Sequence, residues 1–259
     1  MLNLFKKNFL NSFYIFFLGA ISSYSLPPYG YFIINFITFS LFFLFIFNKK
    51  KKIIKNKYFF KYGWYFGFGY FLFSLYWIAI SLTFDQSFKF LIPVAIILLP
   101  AFLAIFYGLI TYLFSIFFSK NIVSSFFIYS ILFGTIEFVR GSIFTGFPWN
   151  LISFSFSNSI YFIQILSIIG TYSFNLICVS LFTLPALFIL RKSRTIIVVC
   201  ISFVFLSIGF LIFGHIKHDN FNSLKSVKNS YKIKAISSNI SLDRFYSKQD
   251  ELKIINELI

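Results

Sequence analysis

Acidic side chains are almost missing from this chain: Asp and Glu number 7 in 259 residues, and all charged residues together make up 12%. Soluble domains carry about 25% charged residues, so a water-soluble globular fold is excluded. Cysteine is scarcer still. Cys178 and Cys200 both lie inside apolar runs, where they read as small buried hydrophobes, and no disulfide framework follows. His215 and His218 have a metal-ligand spacing but no third ligand nearby, so neither a metal site nor a cofactor is implied.

What fills the sequence instead is apolar and aromatic. Hydrophobic residues reach 59% and Phe alone accounts for 44 positions, which places the chain among membrane proteins. The abundance of Phe, Ile, Asn and Lys suggests an AT-rich genome and carries no functional meaning. A net charge of +16 would suggest nucleic acid in a soluble protein. Here the basic residues fall between apolar runs rather than along one face, so they report topology, and no nucleic-acid partner is expected.

Seven apolar runs are read as spans: residues 9–20, 31–47, 62–82, 91–118, 122–139, 161–190 and 195–213. The first could pass for a secretory signal, but the second follows so closely that an uncleaved anchor is the better reading. Gly63 and Gly67, four apart, permit a close helix approach. Pro93, Pro100 and Gly108 predict a tilt or kink in the fourth run. With the N-terminus inside, alternation puts Lys6, Lys7, the lysine cluster from Lys49 to Lys61, Lys120, Arg191, Lys192 and Arg194 on the cytoplasmic side. In the outer loops between spans only Lys89 and Arg140 occur, which satisfies the positive-inside rule. An odd number of spans leaves the C-terminal tail outside.

The apolar sequence is interrupted most sharply at residues 137–150. Glu137 and Arg140, spaced i, i+3, share a helix face and can form a structural ion pair, since charges within a membrane are usually paired. Arg140 is also a candidate anchor for a lipid phosphate. Phe147, Pro148, Trp149 and Asn150 are candidates for lining the mouth of a lipid site, with Trp149 otherwise an interfacial ring. Asp85 reads as a solvated loop charge, and Tyr76 and Trp77 as part of an aromatic belt.

These residues carry a family resemblance. Leu26-Pro27-Pro28-Tyr29-Gly30, Gly67-Phe68-Gly69-Tyr70-Phe71 with Leu75-Tyr76-Trp77-Ile78, and above all Glu137-Phe138-Val139-Arg140-Gly141 with Phe144-Thr145-Gly146-Phe147-Pro148-Trp149-Asn150 are similar to the bacterial apolipoprotein N-acyltransferases. Gln164-Ile165 and Gly170-Thr171-Tyr172 continue the likeness. The resemblance implies an inner-membrane enzyme that moves an acyl chain from phospholipid to the amino group of a lipoprotein's diacylglyceryl-cysteine. It further implies a periplasmic nitrilase-like domain whose Glu, Lys and Cys form a covalent catalytic triad.

The expected architecture is therefore an all-α polytopic membrane protein with about seven transmembrane helices over residues 1–214. A linker at 215–232 and the first part of a nitrilase-like α-β-β-α sandwich at 233–259 follow, with a strand at 233–240 and a helix at 249–259. Ala235-Ile236-Ser237-Ser238-Asn239-Ile240 resembles the first strand of that domain. No catalytic residue is assigned, because the triad segments have no counterpart in these residues, and a buried thiol such as Cys178 or Cys200 is no substitute. The expectation is a truncated or split enzyme, with phospholipid, the diacylglyceryl lipoprotein and a separate nitrilase-like chain as the implied partners. A non-enzymatic transporter or scaffold is the alternative. Internal repeats and charges inside the spans, which would favour it, are not evident.

Overall fold

A computed structural model describes residues 2–52, 55–143 and 146–224, with side chains from Leu10 onward. Eight helices follow one another: α1 (Leu2–Ser22), α2 (Ile33–Lys51), α3 (Lys57–Leu75), α4 (Ile92–Phe117), α5 (Ile122–Ser142), α6 (Ile160–Ile163), α7 (Leu166–Leu190) and α8 (Arg194–Ser223). No strand occurs among the described residues. The expected strand at 233–240 and helix at 249–259 lie outside them.

Among the described residues, six segments are long and apolar enough to cross a membrane: Ile33–Lys51, Lys57–Thr83, Gln86–Phe117, Ile122–Ser142, Leu166–Leu190 and Arg194–Ser223. Seven were expected. The first expected span is helical, as α1, but Asn3, Lys6, Lys7, Asn8 and Asn11 dilute its first half and keep it outside that set. Three further boundaries differ from expectation. α3 ends at Leu75 and continues as a 3-10 helix at Tyr76–Thr83, where the Ser81 and Thr83 hydroxyls donate back to the Ile78 and Ile80 carbonyls at 2.7 Å. The sixth run is broken rather than continuous. The four-residue α6 precedes α7, and Gly170 leaves the helical region at φ 74. At the far end α8 runs on to Ser223, past the boundary expected after residue 214, because the polar residues that follow change what surrounds the helix without breaking it.

Lipid tails are as apolar as the side chains, so apolar area alone does not drive these helices together. Close approach and interhelical hydrogen bonds must do so. α3 provides the close approach on two faces. A Cβ at Gly69 would collide with the Phe16 carbonyl oxygen of α1, and one at Gly63 with the Tyr107 carbonyl oxygen of α4. Hydrogen bonds add to these ties and reach further pairs. Thr111 Oγ1 donates to the Phe59 carbonyl at 2.6 Å, and Ser40 Oγ to the Phe182 carbonyl at 3.0 Å. At the end of α1, Ser22 Oγ donates to Asn35 Oδ1 at 2.6 Å while Asn35 Nδ2 donates to Ser25 Oγ at 2.8 Å. Between these contacts runs an aromatic ladder across α2, α3, α4 and α5. Phe42 stacks on Phe66 at 4.2 Å, Phe66 on Tyr107 at 6.1 Å, and Tyr107 meets Phe133 edge-on at 5.3 Å.

Short connections make successive helices antiparallel, so the turns rich in Lys and Arg gather at one end of the bundle. Residues 26–32, 76–91 and 146–165 gather at the other. Gly69→Ala is expected to weaken the α1–α3 contact by about 1–3 kcal/mol through overpacking, measured as SDS-induced unfolding of the purified protein. Gly209→Ala, which adds a methyl where nothing lies within 4 Å, should leave unfolding unchanged or make the protein slightly more resistant.

Candidate functional site

At the loop-rich end, the last turn of α5 carries Glu137 and Arg140, each only 1% exposed. Arg140 is pulled inward by a set of acceptors that matches its planar fork. Nε donates to Glu137 Oε2 at 3.0 Å, and Nη2 donates to the same oxygen. Nη1 donates to the carbonyls of Phe147 at 2.8 Å and Trp149 at 3.0 Å. The Phe71 ring closes the pocket with its centroid 5.2 Å from the guanidinium carbon. The phosphate anchor expected at Arg140 thus points into the protein, with four of its five N–H groups engaged. The Tyr107 hydroxyl lies beside the Glu137 carboxyl group, and neither it nor Glu137 Oε1 makes a hydrogen bond of good geometry among the described residues.

The strand of loop held by Arg140 is shaped by its own residues. Gly146 adopts φ 80, and its amide donates to the Ile143 carbonyl at 2.8 Å. Asn150 sits in the left-handed region at φ 56, where Asn is tolerated better than most residues. Its side chain donates to the Ser74 carbonyl at 3.1 Å, and its own carbonyl accepts from the Tyr70 hydroxyl at 3.0 Å. The Ser74 carbonyl also accepts from Trp77 Nε1 at 3.1 Å. The loop is therefore tied to α5 through Arg140 and to the end of α3 through Asn150.

Between those two ties stands Trp149, 49% exposed. Its ring stacks on Trp77 at 5.1 Å and lies 6.2 Å from Phe147. A groove opens on each side of it. One, of about 430 Å³, is lined by Pro148, Asn150, Leu151, Phe154, Thr171 and Tyr172. The other, of about 440 Å³, is lined by Trp77, Ile78, Ile80, Ser81, Phe84 and Phe147. Tyr172 can reach its position because α5 has no side chain at Gly141, where a Cβ would meet the Tyr172 hydroxyl.

The expected site residues are thus brought together in two layers. Glu137 and Arg140 lie beneath the loop, while Phe147, Pro148, Trp149 and Asn150 form it and border the grooves. Sequence reasoning missed Tyr70, Ser74, Tyr107 and the pairing of Trp77 with Trp149. Tyr70 and Tyr107 differ from the many Phe rings only by a hydroxyl, and that was the available signal. Of the remaining candidates, Asp85 caps the 3-10 helix at Gln86–Leu91 by accepting from the Ser87 amide at 2.8 Å. His215 stacks on Tyr161 at 3.8 Å, and no cluster of three potential metal ligands occurs among the described residues. Cys178 and Cys200 are both buried.

Residues 18–184 match the family model described as the apolipoprotein N-acyltransferase N-terminal domain. The chain is 36% identical over 180 residues to the apolipoprotein N-acyltransferase of Rhizobium etli, covering 67% of this chain and 34% of that protein. It is 34% identical over 183 residues to the Rhizobium rhizogenes protein of the same name, covering 68% and 34%, and 31% identical over 178 residues to that of Brucella melitensis, covering 65% and 33%. The chain spans about a third of the length of the curated relatives it matches.

Removing one partner of a buried ion pair costs about 3–5 kcal/mol because the other charge is left unpaired. Arg140→Ala is expected to lose that much in SDS unfolding. Arg140→Lys should recover little, since an ammonium cannot span a carboxylate and two carbonyls. Combining Glu137→Leu with Arg140→Met should restore most of the stability while leaving Trp149 more accessible to a collisional quencher.

Proposed function

Since the chain belongs to the apolipoprotein N-acyltransferase family, matched through its N-terminal domain, we propose that it forms the lipid-presenting membrane part of such an enzyme. In this reading a phospholipid supplies the acyl chain and the amino group of a diacylglyceryl lipoprotein receives it. The observation that carries the reading is Trp149, pinned on both sides and flanked by two apolar grooves at the loop-rich end. A rigid aromatic divider between apolar grooves can hold acyl chains still while their ester is presented above the loop, and holding the reacting groups is worth much of a barrier.

The lysine-rich end faces the cytoplasm in this reading and the loop end faces outward across the inner membrane, which the positive-inside distribution supports. Acyl transfer itself is, in this reading, the work of a nitrilase-like domain to which residues 233–259 belong. Glu137 and Arg140 act there as positioning residues: they fix the Phe147 and Trp149 carbonyls and touch no reacting atom. Phe147, Pro148, Trp149 and Asn150 form the lipid-facing rim.

A chimera tests this directly. Residues 18–184 of this chain would replace the matching segment of the Rhizobium etli relative, and acyl transfer from phospholipid to a diacylated lipopeptide would be measured in vesicles. The chimera is expected to be active, and Trp149→Ala within it to lower kcat/KM by about tenfold, equivalent to about 1.4 kcal/mol. A chimera that inserts and unfolds like its parent yet transfers no acyl chain would overturn the proposal.

A further inference from the structure

A third cavity lies away from Trp149, on the opposite flank of α7, and it is built differently. α8 is propped against the bundle at two heights. Near its start Phe203 meets Phe126 at 5.9 Å. Past its middle Phe210 packs 5.9 Å from Phe162, and Gly214 lies so close to α6 that a Cβ there would strike the Tyr161 carbonyl oxygen. Between the props α8 stands off from α2 and leaves a slot of about 460 Å³, walled by Phe32, Phe36, Phe156, Phe162, Leu181 and Leu211. The walls are rigid. Phe156 stacks on Phe182 at 5.4 Å and on Phe162 at 4.5 Å, and Phe36 meets Phe182 edge-on at 5.0 Å.

Polar groups collect at the loop end of this slot, where Asn158, Ser159 and the Gly30 backbone form the rim. Just beyond, His215 and His218 extend the slot-facing side of α8 and both contact Tyr161, at 3.8 and 5.3 Å. Lys217 reaches sideways to Ser167 Oγ at 2.5 Å. Asp219 is the acidic neighbour, and at 3.6 residues per turn it stands about 200° around the helix from Lys217. The other two hydroxyls of the lining, on Ser155 and on Ser207 of α8, already donate to the Ile152 and Phe203 carbonyls, so the polar groups left for a ligand lie at one end of a narrow apolar slot, the polarity of a single amphiphile.

The geometry points to a phospholipid bound here as a wedge, one acyl chain filling the slot between α2 and α8 and its phosphate and ester oxygens at Asn158, Ser159, His218 and Lys217. Water is the wrong polarity for ring-lined walls. The wedge is separate from the lipid at Trp149 and does not depend on the acyltransferase reading. It gives α8, which otherwise touches the bundle mainly through α6, a contact with α2.

The full chain in nanodiscs, loaded with a phospholipid carrying a diazirine near the end of one acyl chain, provides the test by photolabelling and peptide mass spectrometry. Phe162 and Leu211 should be labelled well above Phe205, which is 69% exposed on the open face of α8 and reports ordinary bilayer contact. Ser207→Phe, which intrudes on the slot, should abolish that excess while labelling beside Trp149 and Tyr172 persists. Should that variant fail to fold, His218→Ala with Lys217→Ala decides the matter, and loss of the excess without loss of unfolding resistance is the expected result. Labelling of Leu211 no stronger than that of Phe205, or an excess untouched by a folded variant, would overturn the wedge.

Discussion

The Arg140 guanidinium, held between Glu137 and two loop carbonyls, is the interaction on which the loop-rich end depends. A cation in an apolar region is costly unless opposite charge and hydrogen-bond acceptors surround it. Arg140 has both, with Oε2 of Glu137 on one side and the carbonyls of Phe147 and Trp149 on the other. Those same carbonyls would otherwise be unpaired close to lipid, so the cation and the loop satisfy each other. The position of Trp149 follows, and with it the two grooves. Asn150 completes the arrangement by turning the chain back onto α3.

Below that end the bundle obeys a different constraint. Because side chains and surrounding lipid have similar polarity, the specificity of packing comes from shape and from a few hydrogen bonds. α3 concentrates both. Its glycines admit the backbones of α1 and α4, and its Phe59 carbonyl takes the Thr111 hydroxyl. Aromatic rings then interlock in the space those contacts define. Such pairs contribute about 0.5–1.5 kcal/mol each beyond their buried area, which makes the Phe-rich composition structurally useful whatever its genomic origin.

Much of this was legible in the sequence. Apolar run length located α2, α4, α5 and most of α7, and the i, i+3 spacing of Glu137 and Arg140 anticipated that they would meet. Run length failed where hydropathy and backbone geometry part company. It could not see that α3 becomes a 3-10 helix at Leu75, nor that Gly170 breaks the sixth run, since neither change alters the apolar average. The inward turn of Arg140 was hidden for another reason. A guanidinium can serve lipid phosphate or backbone carbonyl equally well, and only the fold of residues 146–150 decides which acceptor is present. Tyr70 and Ser74 were missed because their partner Asn150 lies far along the chain, beyond any local pattern.

That sequence distance bears on how the molecule is made. The glycine contacts of α3 involve α1 and α4, both within two helices of it in order of synthesis, so the first helices can settle as they leave the translocon. The Ser74 carbonyl and the Tyr70 hydroxyl must wait until residue 150 has emerged before Asn150 engages them. The Trp77 indole donates to that same carbonyl from within its own segment, so Ser74 already has one partner during the wait. Biogenesis of this membrane domain thus has a late closing step, the docking of one loop, and errors in it would leave the helices inserted and packed but the loop-rich end unassembled.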